Sequence, residues 1–234
     1  MRQVVFDTET TGLDPAQGHC IIEVGAIEVI NRRKTGRTFH RYCKPDREVE
    51  AGALAVHGIT NEFLSTQPRF ADLAGELIDF ISGAELVIHN AAFDVAFVNA
   101  ELKRINSPHS VESLCTVLDT LPMAREKYPG QRNSLDALCK RLGVDNSARE
   151  YHGALLDAQL LLDVYLAMTG GQSTMLLDHA THAGAAVAAS RTWQRPAGAL
   201  NVLCANEEEL AQHEKILGTL DKASNGKTLW RKTS

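Results

Sequence analysis

No apolar stretch in the 234 residues approaches the ~20 needed to span a bilayer. The opening residues, Met1-Arg2-Gln3-Val4-Val5-Phe6-Asp7, have no secretory apolar core, because an acidic residue interrupts it almost at once. The five cysteines (Cys20, Cys43, Cys115, Cys139 and Cys204) are odd in number, scattered and without a Cys-x-x-Cys pair. That argues against a disulfide framework and a thiolate zinc site, and the expected location is the cytoplasm. Positive charge is also scarce: the net charge is −5. Residues 1–170 hold 17 Lys+Arg against 23 Asp+Glu, or −6, and residues 171–234 hold 7 against 6, or +1. A domain of that sign repels phosphate backbones unless cations or a partner protein help.

What is present is an ordinary globular composition, 44% hydrophobic and 23% charged, long enough for one core of ~150–200 residues plus an appendage. Strand-like runs come first, at Val4–Phe6, Ile21–Ile30 and Thr38–Cys43, and a fourth follows at Leu86–His89. Helical periodicity marks Phe70–Ile81, Phe93–Ile105 and Gly153–Met168. A further helix, Leu135–Leu142, has Asn133-Ser134 as a start signal and Gly143 as a stop. Three early strands followed by mixed elements predict an α/β domain over residues 1–170, with a mixed central β-sheet flanked by helices.

Beyond Gly171 the chain turns rich in Gly, Ala, Ser and Thr, which predicts a flexible linker over 171–200. A small strand–helix–strand tail over 201–234 follows. It is built from Asn201–Cys204, a helix from Asn206-Glu207-Glu208-Glu209 to about Lys222, and Thr228–Trp230. Such a piece is too small to bury a core of its own and reads as a docking tail.

Chemistry concentrates in a few acids. Asp7 and Glu9, two apart at the end of the first strand, leave the same face, while Phe6 and Thr8 leave the other. An isolated D-x-E is most often a solvated strand end. Asp94 starts a helix with Ala91, Phe97 and Val98 as its helical neighbours. Asp157 is stranger, since Gly153, Ala154, Leu160, Leu161 and Val164 surround it on the helix. A carboxylate within an apolar stripe faces the core or a cleft, and is costly there unless paired, hydrogen-bonded or bound to a metal. Together, four such oxygen donors suit a hard divalent cation such as Mg²⁺. Counting them out of the −6 leaves about −2 for the domain, a smaller barrier to an anionic substrate. His152 lies five residues before Asp157, with Gly153 freeing the backbone to aim its ring. A neutral imidazole there can take a proton from water activated by a metal, which sets it apart from His19, His40, His109, His179, His182 and His213.

Three segments in this order resemble the motifs of the DEDDh 3′→5′ exonucleases: Asp7-Thr8-Glu9-Thr10-Thr11-Gly12-Leu13, His89-Asn90-Ala91-Ala92-Phe93-Asp94, and His152-x4-Asp157. The sister group with a tyrosine uses Tyr-x3-Asp; Tyr151, six residues before Asp157, has the wrong spacing, so His152 is the expected base. The resemblance implies a ribonuclease-H-like exonuclease fold for residues 1 to about 170. It implies two Mg²⁺ or Mn²⁺ ions held by Asp7, Glu9, Asp94 and Asp157, with His152 catalytic. It also implies a substrate site in which Thr8 and Thr10 hold the terminal sugar and Leu13 wedges between the last two bases. Val56, His57, Asn90 and Phe93 would line the pocket, and Asp7, Glu9 and Asp157 would bind the substrate as well.

Gln172-Ser173-Thr174-Met175-Leu176-Leu177 resembles a bacterial sliding-clamp-binding peptide, with Gln172, Met175 and Leu177 as anchors, although it lacks a terminal aromatic. The linker and the end at Leu229-Trp230-Arg231 resemble the tail that tethers proofreading exonucleases to the alpha subunit of a bacterial replicative polymerase. The implied function is proofreading of a DNA 3′ end in a nucleoid-associated bacterial setting. Two alternatives differ in class: an exoribonuclease of the same family, since nothing in residues 1–170 separates ribose from deoxyribose, and a subunit that mainly bridges polymerase and clamp.

Overall fold

A computed structural model describes residues 1–147, 151–170 and 205–224. The chain divides into two units, Met1–Leu176 and Leu177–Ser234. The expected linker, clamp peptide 172–177, strand 201–204 and closing segment 228–230 lie outside the described residues. None of the helices described is long and apolar enough to cross a membrane.

Five strands form one sheet: β1 (Arg2–Thr10), β2 (Ile21–Ile30), β3 (Arg33–Tyr42), β4 (Glu85–Ile88) and β5 (Thr116–Asp119). Their order is β3-β2-β1-β4-β5, with β1, β2 and β3 antiparallel and β4 and β5 parallel to β1, a mixed sheet as expected. The helices of this unit are α1 (Ala51–His57), α2 (Asn61–Ser65), α3 (Phe70–Ile81), α4 (Ala91–Arg104), α5 (Val111–Leu114), α6 (Thr120–Lys127), α7 (Leu135–Leu142) and α8 (Ala154–Gly170). In the second unit α9 (Glu207–Ala223) starts with a capping box, where Asn206 Oδ1 accepts the Glu209 N–H and Glu209 Oε2 accepts the Asn206 N–H.

Side-chain alternation along β1 builds the two layers of the core. Val4 and Phe6 pack with α3 and α4 on one face, and Val5 packs with α7 and α8 on the other. Asp7 and Glu9 continue the Val5 face towards α8, while Thr8 continues the Phe6 face towards α4. The first strand runs to Thr10, four residues beyond its apolar run, because β2 pairs with it over its whole length; the acids therefore sit at the end of the strand, as expected. β3 begins at Arg33, five residues earlier than its apolar run. Asn31 and Arg32 both adopt positive φ (50° and 66°), a tight hairpin turn that fixes the pairing register ahead of any apolar signal.

One glycine sets the distance between β2 and α8. Gly25 stands opposite Asp7, and a Cβ built there would lie 2.2 Å from the Ala154 carbonyl carbon. The first turn of α8 therefore rests directly on the sheet beside Asp7. Overpacking of this kind costs about 1–3 kcal/mol. Gly25→Ala should accordingly lower the melting temperature by roughly 2–4 °C per kcal/mol lost. Differential scanning calorimetry checks this, and an unchanged transition would mean that the contact tolerates a methyl group.

Candidate active site

β4 pairs with β1 only across Gln3, Val4 and Val5, so the outer edge of β1 beyond Val5 has no strand beside it. The N-terminus of α4 fills that place. Thr8 Oγ1 donates to Asp94 Oδ1 at 2.6 Å, which brings the carboxylate of α4 to the residue between Asp7 and Glu9. From the opposite face, α8 delivers Asp157. Single ligand atoms of Glu9, His152 and Asp157 all lie within 4.8 Å of one another. His152 Nδ1 is 3.3 Å from Asp157 Oδ2, with the imidazole 43% exposed and the carboxylate 5% exposed. A bulge in the β1–β2 pairing between Glu9 and Thr10 ends the regular ladder at the site, where such irregularities re-aim side chains.

The electrostatics follow from burial. Asp94 and Asp157 are each 4% exposed, among the few buried acids of the described residues, as their apolar helical neighbours predict. Desolvation pushes the Asp94 carboxyl up to about 7, against the hydrogen bond from Thr8 that favours the charged form. His57 is held below the usual histidine range, first by burial and then by repulsion from nearby His152. Its Nδ1 accepts the Ile59 N–H at 3.0 Å, which places the ring proton on Nε2 in the neutral form. A group of hard oxygen donors with an imidazole, two of its acids buried, fits a divalent cation that would relieve their mutual repulsion.

Beside the acids lies a cavity of about 390 Å³ lined by Thr8, Glu9, Thr10, Gly12, Leu13, Glu50, Gly52, Ala53, Val56, His57 and Phe93. That is within the size range of small-ligand sites. Leu13 stands at its rim 82% exposed, and Val56 is 46% exposed. The Leu13 loop is held from behind by buried His19, whose ring leaves no space for a Cβ on Gly12 and whose Nδ1 is 3.0 Å from Thr11 Oγ1. Tyr151 lies against Gly58, and the His152 N–H donates to the Val56 carbonyl at 3.1 Å. The loop bearing His152 is thereby strapped to the pocket wall.

Six of the expected pocket residues, Thr8, Thr10, Leu13, Val56, His57 and Phe93, meet in this one cavity. Asn90 does not line it. Asn90 has φ 67°, begins α4 and borders a neighbouring groove with His89, Arg125 and Ser134. Glu50, Gly52 and Ala53 were not expected. They belong to the start of α1, a helix too short and too rich in small residues to show a period, whose only clear signal is Gly58 as its left-handed C-cap. Gln172, Met175 and Leu177 lie outside the described residues.

Comparison with known proteins adds an independent line. The profile of the RNase T exonuclease family matches residues 4–165. The chain is 52% identical over 238 residues to DNA polymerase III subunit epsilon of Pasteurella multocida, covering 99% of this chain and 94% of that protein. It is 50% identical over 237 residues to the subunit of the same name from Escherichia coli, covering 98% and 97%. Among solved structures it resembles Exonuclease X in complex with 5′ overhanging duplex DNA, with a TM-score of 0.54 and 26% identity over 73% of this chain and 94% of that one. It shares its fold with a zinc-bound E. coli ExoI–ssDNA complex, with a TM-score of 0.64 and 21% identity over 73% of this chain and 41% of that longer one.

The buried Asp94 carboxyl implies a pH dependence of definite sign. Its folded-state pKa of about 7 lies above the ordinary value near 4, so between them the native state keeps a proton that the unfolded chain releases. Its contribution to stability is full below about 4, declines as pH rises to about 7 and is flat above. Asp94→Asn, measured without metal, should stabilise the protein at pH 8 by up to a few kcal/mol more than at pH 4. Equal effects at the two pH values in urea titrations would contradict a neutral Asp94.

Proposed function

The chain belongs to the exonuclease family, among the epsilon subunits of DNA polymerase III, and from that membership we propose how its residues do their work. It is a 3′→5′ exonuclease of DNA replication, the proofreading activity that hydrolyses the 3′-terminal phosphodiester and releases a deoxynucleoside 5′-monophosphate. The observation that carries the reading is the meeting of Glu9, His152 and Asp157 within 4.8 Å, with Asp94 bound to Thr8, at the mouth of a nucleotide-sized cavity.

Asp7, Glu9, Asp94 and Asp157 would hold two Mg²⁺ or Mn²⁺ ions, and the bound ions would supply Lewis-acid polarisation of the phosphodiester and lower the pKa of the attacking water. His152 accepts the proton of that water; its imidazole faces solvent on one side and is oriented by Asp157 on the other. Thr8 and Thr10 hold the terminal sugar in the cavity, against Val56, His57 and Phe93. Leu13, exposed at the rim, wedges between the last two bases. A mispaired end frays more readily than a paired one, so unpairing cost selects the substrate without any reading of base identity.

The domains are 1–170 for the nuclease, 171–200 for a flexible linker and 201–234 for a docking tail. Through that tail the chain binds the DNA polymerase III alpha subunit, and through Gln172, Met175 and Leu177 it binds the sliding clamp. Support comes from the sequence resemblance and from relatives that share nearly the full length. The shared name also favours DNA over RNA, and matched oligonucleotides of the two kinds distinguish them.

Digestion of a primer with a mispaired 3′ end should require Mg²⁺ or Mn²⁺. It should be abolished in Asp7→Ala and should fall roughly 10²–10⁴-fold in His152→Ala. Full activity of either variant would sink the assignment. Truncation after residue 170 should leave mismatch removal intact while abolishing co-elution with the polymerase on size exclusion. Retained co-elution would move the polymerase contact into the nuclease domain.

A further inference from the structure

Both helices that deliver buried acids to the site begin without a side-chain cap of their own. The first N–H groups of a helix have no partner within it and ordinarily take one from the N-cap side chain. In α8 the carbonyl of Gly153 accepts the Asp157 N–H at 2.8 Å, which makes Gly153 the N-cap, and glycine has no side chain to offer. In α4 the N-cap is Asn90, held at φ 67° with no side-chain cap bond.

Each missing cap is supplied from the sheet by a carboxylate far away in sequence. Glu23 of β2, 2% exposed, accepts the Ala154 N–H through Oε2 at 3.1 Å. Its other oxygen lies 2.7 Å from His40 Nε2. The Tyr42 phenol, pushed up to about 12 by burial and then by the Glu23 charge, is a further donor to it. Asp119, the last residue of β5, accepts the Asn90 N–H at 3.0 Å through Oδ1 and the Ala91 N–H at 3.1 Å through Oδ2. Negative charge at these helix starts also complements the helix dipole. The two contacts fix the first turns that carry Asp157 and Asp94.

We propose that Glu23 and Asp119 are positioning residues of the catalytic centre, capping α8 and α4 in trans so that Asp157 and Asp94 converge at the end of β1. The role rests on the nuclease reading above, but the hydrogen bonds that carry it do not. Glu23 is the cross-strand neighbour of Glu9, so without its donors it would add another like charge beside the site. With them it turns that charge into an anchor for the opposing helix.

The test uses the full chain with Glu23→Gln, Glu23→Ala, Asp119→Asn and Asp119→Ala. Three quantities are read: amide exchange at Ala154, Asn90 and Ala91, Mn²⁺ affinity by calorimetry, and kcat and KM on a mispaired primer. The alanine variants should lose protection at the uncapped amides. Mn²⁺ affinity and kcat should fall together by roughly tenfold to a hundredfold with KM little changed, and the amide variants should recover part of the loss. If an alanine variant fails to fold, the isosteric amide variant decides by the same three readouts. Folded variants with a lowered melting temperature but wild-type Mn²⁺ affinity and kcat would reduce both residues to structural roles and overturn the proposal. A wild-type protein that leaves the primer intact would instead overturn the nuclease reading, with exchange and Mn²⁺ binding still deciding the capping roles.

Discussion

Like charges gathered at one strand end repel one another, and the geometry around β1 is what forces them together. β2 holds the strand along its full length, whereas β4 stops pairing at Val5, so the last half of β1 is open on one edge. Through that gap α4 reaches Thr8 with Asp94, and over the Gly25 backbone α8 reaches Glu9 with Asp157. Neither acid can withdraw into water, since both are buried on helices packed into the two core layers. Burial and like charge must be met in place, by the proton that desolvation favours on Asp94 or by cations. The core thus keeps the acids together, and their charge makes the site receptive to metal.

That constraint explains which parts of the site were legible in the sequence. Asp157 was legible because a helical period places it among leucines, and Asp94 because Ala91, Phe97 and Val98 surround it; an acid inside an apolar stripe is visible without coordinates. The helices Phe70–Ile81 and Leu135–Leu142 were legible to the residue, the first by its clean apolar face and the second by an apolar face between recognisable ends. The short helices α1, α2, α5 and α6 were not, because none of them, unlike Leu135–Leu142, joins a capping side chain at its start to a glycine at its end. The wall of the cavity suffered from this, with Glu50, Gly52 and Ala53 missed. Long-range hydrogen bonds were equally out of reach. Nothing local to Glu23 or Asp119 announces a helix start 131 or 29 residues away.

Asn90 shows a different limit. Its place in the motif suggested a pocket residue; in the structure its positive φ and its backbone bond to Asp119 form the turn into α4. Asparagine is among the few residues that tolerate the left-handed region, so the position has a backbone reason for its identity. Motif membership marks a segment as important without saying whether the side chain or the main chain is the working part.

Charge also bears on how such a domain meets DNA. The nuclease region carries −6 before any metal is counted, and filling the site offsets only part of that. Long-range steering by the protein field is therefore weak or adverse, and a free nuclease domain meets 3′ ends by unaided diffusion. A tether changes the arithmetic rather than the chemistry. On the proposed division of the chain, a tether of some 30 residues would hold the site at an effective concentration in the millimolar range near its anchor, well above what collision supplies. On the proposed reading, the negative domain and the docking tail are two halves of one solution. On the same reading, the acids that the metals require weaken general DNA binding, and a tail docked on a polymerase would restore access there.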